Sequence, residues 1–226
     1  MAPWKFLWFL PFFFVIGVCS AQAQSFFGDR TVEITPFGGS RFGGNINLDT
    51  TFSGGPSGPF DQLNIRSTWD YGAWLDVGIF SHLQAEFMWD HQPTVLTGVD
   101  FTSGTAARIG EANLDFYQWG VEVPIFPAHA RFQPYIAGGL GFTHFTAHSG
   151  AEDFLPFANR FSFNLGGGVK YYFVKHVGLR LDVRYSPTRT TDSVATYCDP
   201  FFGCYPAQVS NFAQQGEANL GIIFRF

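Results

Sequence analysis

The segment HVGLRLDVRYS, residues 176–186, constrains the fold more than any other stretch of the chain. It sets Val177, Leu179, Leu181, Val183 and Tyr185 on one face of an extended backbone and Gly178, Arg180, Asp182, Arg184 and Ser186 on the other. A repeat of two belongs to a strand lying between two unlike environments. The pattern recurs along the chain. FSFNLGGGVKYYF opposes Phe161, Phe163, Leu165, Val169, Tyr171 and Phe173 to Ser162, Asn164, Gly166, Gly168 and Lys170. PYIAGGLGF opposes Ile136, Leu140 and Phe142 to Tyr135, Ala137, Gly139 and Gly141. DYGAWLDVGIF, LQAEFMWD and VEITPFGG place Asp76, Glu86 and Glu33 on their polar faces. GEANLGIIFRF separates Leu220, Ile222, Phe224 and Phe226 from Glu217, Asn219 and Arg225. EANLDFYQWGVEV is less regular, because Leu114 and Phe116 run out of phase with Tyr117, Trp119, Val121 and Val123. A bulge near Phe116 would restore the phase.

These segments predict eight strands, near residues 30–42, 69–80, 83–92, 111–123, 131–145, 160–173, 176–187 and 211–226. Their connections alternate between little more than Ser81-His82, PIFPAHA or Val174-Lys175 and long polar stretches at 43–68, 93–110, 146–159 and 188–210. Short turns on one side, long loops on the other and an even strand count specify an all-β fold: an antiparallel, up-and-down, eight-stranded transmembrane β-barrel. Strands of about 10 residues suffice to cross hydrocarbon when tilted. With apolar faces toward lipid, every backbone N–H and C=O must pair with a neighbouring strand, and only a closed cylinder leaves no open edge. An aromatic share of 19% beside a charged share of 14% suits a bilayer better than water. The formal net charge of −5, with no block of like charge, argues against nucleic acid as a partner.

The start of the chain indicates the compartment. Lys5, an apolar run from Phe6 to Val18 and the small pair Ala21 and Ala23 predict a secretory signal peptide over residues 1–23, which leaves 24–226 as one barrel domain with no further domain expected. A retained anchor is disfavoured because the run is interrupted by Pro11 and falls short of the roughly 20 apolar residues a helix needs to span. Lipidation at Cys19 is disfavoured by bulky Val18. In an oxidising compartment, Cys198 and Cys204 of CDPFFGC are expected to form a local disulfide; a redox or metal site would ask for closer spacing or histidine partners.

The polar faces predict the interior. Glu33, Asp76, Glu86, Glu122, Asp182 and Glu217 oppose Arg41, Lys170, Arg180, Arg184 and Arg225 there. Charges in a narrow, poorly hydrated space persist only when paired, so a ladder of ion pairs across the lumen is expected, with Arg180, Asp182, Arg184, Glu217 and Arg225 of the adjacent last two strands looking inward together. Eight strands enclose just enough room for their own side chains, which favours a packed polar core over a pore.

The terminal alternation of Leu220, Ile222, Phe224 and Phe226 resembles the C-terminal signal by which outer-membrane barrels are recognised by the barrel assembly machinery. The chain after residue 23 resembles the OmpA-like eight-stranded outer-membrane β-barrel superfamily, its first strand reading VEITPFGGSRFGG and its fifth PYIAGGLGF. The resemblance implies an integral, monomeric protein of a Gram-negative-type outer membrane, in contact with membrane lipid. It implies four longer extracellular loops, no cofactor, and a structural or surface-interaction role, and it names no extracellular ligand. A small pore remains the alternative. A lipid-modifying enzyme is a weaker one, since some such barrels act on lipid A. His144, His148, Ser149, Glu152 and Asp153 lie close together in HFTAHSGAED, but they match no deacylase motif, and His144 and His148 lack an evident third metal ligand. No catalytic, metal or cofactor site is therefore expected.

Overall fold

The computed structural model describes residues 31–49, 62–80, 82–100, 105–126, 131–148, 159–189, 195–199, 203–209 and 212–226. Within them the chain forms β1 (Val32–Asp49), β2 (Gln62–Ile65), β3 (Thr68–Phe80), β4 (Leu83–Asp100), β5 (Thr105–Pro124) and β6 (Phe132–His148). These are followed by β7 (Asn159–Val174), β8 (Val177–Tyr185), β9 (Thr188–Arg189), β10 (Ala195–Asp199), β11 (Gly203–Val209) and β12 (Phe212–Arg225). Eight of them pair antiparallel in a ring that runs β1, β3, β4, β5, β6, β7, β8, β12 and back to β1. β2 lies between β1 and β4 as β3 does, and β9 touches β7 and β12 as β8 does, so each continues its neighbour after a two-residue break. The seam closes with Ile34 opposite Phe224 and Arg41 opposite Glu217. At its lower end Val32 and Phe226 exchange backbone hydrogen bonds of 3.3 and 2.8 Å.

Burial follows the period of two but inverts the sense expected in water. On β8, Leu181 and Val183 are 53% and 54% exposed while Arg180 and Asp182 are 0% exposed. Apolar side chains face outward over a band that runs, on β5 and just past its end, from Tyr117 to Ile125. At ~3.3 Å per residue and ~40° of tilt this band is about 20 Å tall, close to the hydrocarbon thickness a barrel of this kind spans.

Above the band the strands continue, and the structure here departs from the sequence expectation. The stretch 93–110, expected to be a loop, is mostly ladder: β4 and β5 stay paired from Pro93 opposite Asn113 up to Asp100 opposite Thr105. No bulge occurs at Phe116. The irregularity lies higher, where Leu96 pairs with Gly110 and Thr97 with Arg108, leaving Ile109 as the extra residue. Leu114 and Phe116 are in phase with the backbone and point inward, packing with Phe37, Trp74, Met88, Leu96 and Phe145 in one apolar cluster. The physical reason is the membrane boundary. Below it lipid lies outside and apolar side chains face out; Trp74 and Met88 turn inward level with the upper part of the band, and above it, where water lies outside, Leu96 and Leu114 also turn inward.

β1 also runs beyond its expected end, past Gly43 and Gly44 at φ of 85° and 101°, where its pairing shifts register against β12. The expected loop at 188–210 contains the β10–β11 hairpin, which joins the barrel through Leu48 opposite Val209.

Candidate functional site

The lumen is the most organised polar region of the described residues. It is built in tiers from the short-turn end upward. In the lowest, Lys170 of β7 reaches Glu33 of β1 at 2.9 Å, Asp76 of β3 at 3.2 Å, Glu122 of β5 at 2.8 Å and the Gln84 amide oxygen at 2.9 Å. Tyr172 donates to Glu33 at 2.8 Å, and Arg225 pairs with the same carboxylate at 2.6 Å from the rim while lying over the Tyr172 ring. In the next tier Arg180 meets Asp76 at 2.9 Å and Glu86 at 2.6 Å. Arg184 meets Glu86 at 2.5 Å and Asp182 at 2.7 Å. Tyr135 donates to Asp182 and accepts from Arg180 Nε at 2.8 Å.

A layer of rings covers these charges. The Arg180 guanidinium stacks 4.1 Å from the Trp74 ring, which in turn stacks on Phe37 at 3.9 Å. Higher still, Arg41 of β1 bonds both Asp90 and Glu217, lies 3.8 Å from Asp70, and stacks 3.7 Å over Phe116. Arg41, Lys170 and Arg180 are all 0% exposed. A guanidinium without water is tolerated when its protons are taken up by carboxylates and its flat face by rings. Arg180 meets both conditions, whereas Arg41 bonds its carboxylates through Nη2 and leaves Nε and Nη1 without a hydrogen-bond partner among the described residues.

Every predicted lumen charge faces the interior, with ion pairs running across the lumen and Asp182 holding Arg180 and Arg184 within β8, but Arg184 and Glu217 do not pair with each other. Glu217 stands opposite Arg184 in the β8–β12 register, yet Glu217 turns to Arg41 and Arg184 crosses the lumen to Glu86. Asp70 and Asp90 complete the upper tier and were not among the expected charges; Asp70 sits six residues before Asp76 on one face, and Asp90 four after Glu86, so the period of two carried the signal. Two carboxylate groups, Asp70 with Asp90 and Glu217, and Asp76 with Glu86 and Glu122, bring oxygens within 4.8 Å of one another in the manner of a metal site. Each already encloses a side-chain cation, Arg41 in the first and Lys170 with Arg180 in the second.

Leu220, Ile222, Phe224 and Phe226 face outward, 56%, 49%, 42% and 41% exposed. The backbone register places Cys198 opposite Cys204 on the β10–β11 hairpin. His144 lies on the outer face of β6, its Nδ1 2.9 Å from Asn159 Oδ1, and His148 stands opposite Glu111. Ser149, Glu152, Asp153 and the expected leader lie outside the described residues.

Comparison with known proteins agrees with this architecture. No curated protein sequence matches the chain. The structure of OprG from Pseudomonas aeruginosa superposes with a TM-score of 0.62 at 14% identity, over 87% of this chain and 95% of that one. Neisserial surface protein A gives a TM-score of 0.52 at 10% identity, over 87% and 97%. The outer membrane protein AlkL in lipid bilayers gives 0.52 at 14% identity, over 86% and 90%. A family model described as the outer membrane protein beta-barrel domain matches residues 12–224. A closed ring of strands with an apolar outer band, matched over nearly its whole length, belongs to the outer membrane protein β-barrel domain family and is an integral protein of the Gram-negative outer membrane.

Proposed function

We propose that this protein is a non-conducting, non-enzymatic barrel whose role is structural or lies at the cell surface, carried by its four upper loops. The observation supporting this reading is the tier around Lys170, Arg180 and Arg184, in which fully buried cations bridge opposite walls of the lumen. An ion entering from the short-turn end would have to displace carboxylates that are already paired. The upper cluster of Phe37, Trp74, Leu96, Leu114 and Phe116 adds an apolar storey that ions avoid.

That same storey is the observation favouring the alternative, a narrow passage for apolar solutes. Planar-bilayer recording of the purified protein separates the readings for ions: no steady conductance at neutral pH is expected. Steady single-channel openings would replace the closed-lumen reading with a pore. Uptake of an apolar dye by proteoliposomes, compared with empty vesicles, tests the second.

A further inference from the structure

The outer wall changes character in one residue step. On β4, β5 and β6 the outward residues Trp89, Tyr117 and Phe142 stand directly opposite one another, with Tyr117 and Phe142 stacked at 5.2 Å. Two residues higher, the same three strands present His91, Asp115 and His144, again in direct register. Aromatic rings mark the edge of the hydrocarbon, so this row sits in the headgroup layer, reachable from the aqueous side.

We propose that His91, Asp115 and His144 form a binding site for a transition-metal ion of the zinc class on the outside of the barrel. His91 Nδ1 already lies 2.7 Å from Asp115 Oδ1, with both side chains about one-fifth exposed. An imidazole nitrogen and a carboxylate oxygen sharing a tetrahedral zinc ion stand about 3.4 Å apart, given metal–ligand lengths near 2.1 Å, so the pair has to open by less than 1 Å. Directly opposed residues in a sheet have Cβ atoms ~5 Å apart, so two histidines flanking a central aspartate reach a common point above it. His144 supplies the third ligand by turning its ring from Asn159, which Nδ1 now faces at 2.9 Å. Two imidazoles and one carboxylate are the donor set that such metals select, with water completing the shell. The rigidity comes from the ladder, which continues above and below the row on all three strands.

The test is zinc titration by calorimetry and cobalt absorption in micelles, using folded protein stripped of metal and carrying no histidine tag. The site predicts one zinc ion per barrel. It also predicts at least a tenfold loss of affinity in each of His91→Ala, Asp115→Asn and His144→Ala, and no change in His148→Ala, whose side chain lies outside the row. All variants should keep the heat-modifiable gel shift of the folded barrel, since none of these residues faces the lumen. Zinc binding equal in the wild type and the His91→Ala/His144→Ala double variant overturns the proposal. So does a His144→Ala variant that binds as tightly as the wild type, which would reduce the site to the existing His91–Asp115 pair.

Discussion

Arg184 of β8 grips Glu86 of β4 with both terminal nitrogens, Nη1 to Oε1 at 2.5 Å and Nη2 to Oε2 at 2.8 Å, and so ties two walls of the barrel that share no hydrogen-bonded edge. Paired parallel bonds of this kind fix orientation as well as distance.

Arg184→Leu or Glu86→Leu alone should each destabilise the barrel by up to about 3–5 kcal/mol, because a buried charge loses its two-bond partner and keeps one remaining counterion, Arg180 for Glu86 and Asp182 for Arg184. The double variant should lose less than the two singles together, since it removes both charges. Urea unfolding in lipid vesicles measures all three. Neutral single variants would mean that water reaches the pair and that the lumen is open.

Gly43 and Gly44 make a second prediction, drawn from the backbone. A side chain at Gly43 would be held at φ of 85° and its Cβ would approach the Gln214 carbonyl oxygen to 2.7 Å. Gly43→Ala should therefore cost about 1–2 kcal/mol from the left-handed backbone alone. Gly38→Ala serves as the control, for its Cβ would meet nothing nearer than the Asp70 carbonyl oxygen at 3.8 Å. The difference in urea midpoint between the two variants is the measurement.

Phe226→Ala is expected to lower the folded yield in the outer membrane more than it lowers synthesis. The Phe226 ring faces lipid while its backbone closes the seam on Val32, so the substitution leaves the ladder intact and removes only the exposed ring. The folded, heat-modifiable band in membrane fractions is compared with total protein; an unchanged ratio would remove the ring from the assembly signal.

Cys198 and Cys204 are expected to be oxidised to one another in the secreted protein, as their opposed positions on β10 and β11 allow. Thiol labelling under denaturing conditions without reductant should find neither cysteine free. The short loop that the bridge closes limits its contribution to the low end of the ~2–4 kcal/mol typical of disulfides.

Most of the barrel was legible because lipid and lumen impose opposite demands on alternate residues. β8 shows this plainly, with Leu181 and Val183 outside and Arg180 and Asp182 inside. Where the outer environment changes to water, the same rule misleads: Leu114 and Phe116 read as a break in phase, and the ladder from Pro93 to Asp100 read as loop. β2 was missed for a related reason, since Gln62–Ile65 carries too few residues to show a period. In the lumen, the period of two placed Arg180, Asp182 and Glu86 inward, Asp70 and Asp90 went unread, and the choice of pairs was not legible at all. Glu217 has a register neighbour on each side and pairs with Arg41 of β1 rather than with Arg184 of β8, while Arg184 reaches the far wall at Glu86. Tyr135 and Tyr172 entered the network by the same route, as aromatic residues whose hydroxyls reach Asp182 and Glu33.

Lys170 gives the barrel an order of events. Its carboxylate partners stand on β1, β3 and β5, strands that surround it only when the sheet has curled into a cylinder. A half-curled sheet carrying β3 to β8 would hold Lys170 and Arg180 while Glu33, on the first strand, had yet to arrive. Such an intermediate is poorly soluble in lipid, because its charged inner face is open to hydrocarbon. Closing the β1–β12 seam is what brings Glu33 to Lys170, so the last anion of that group and the last edge of the sheet are put in place by one and the same step.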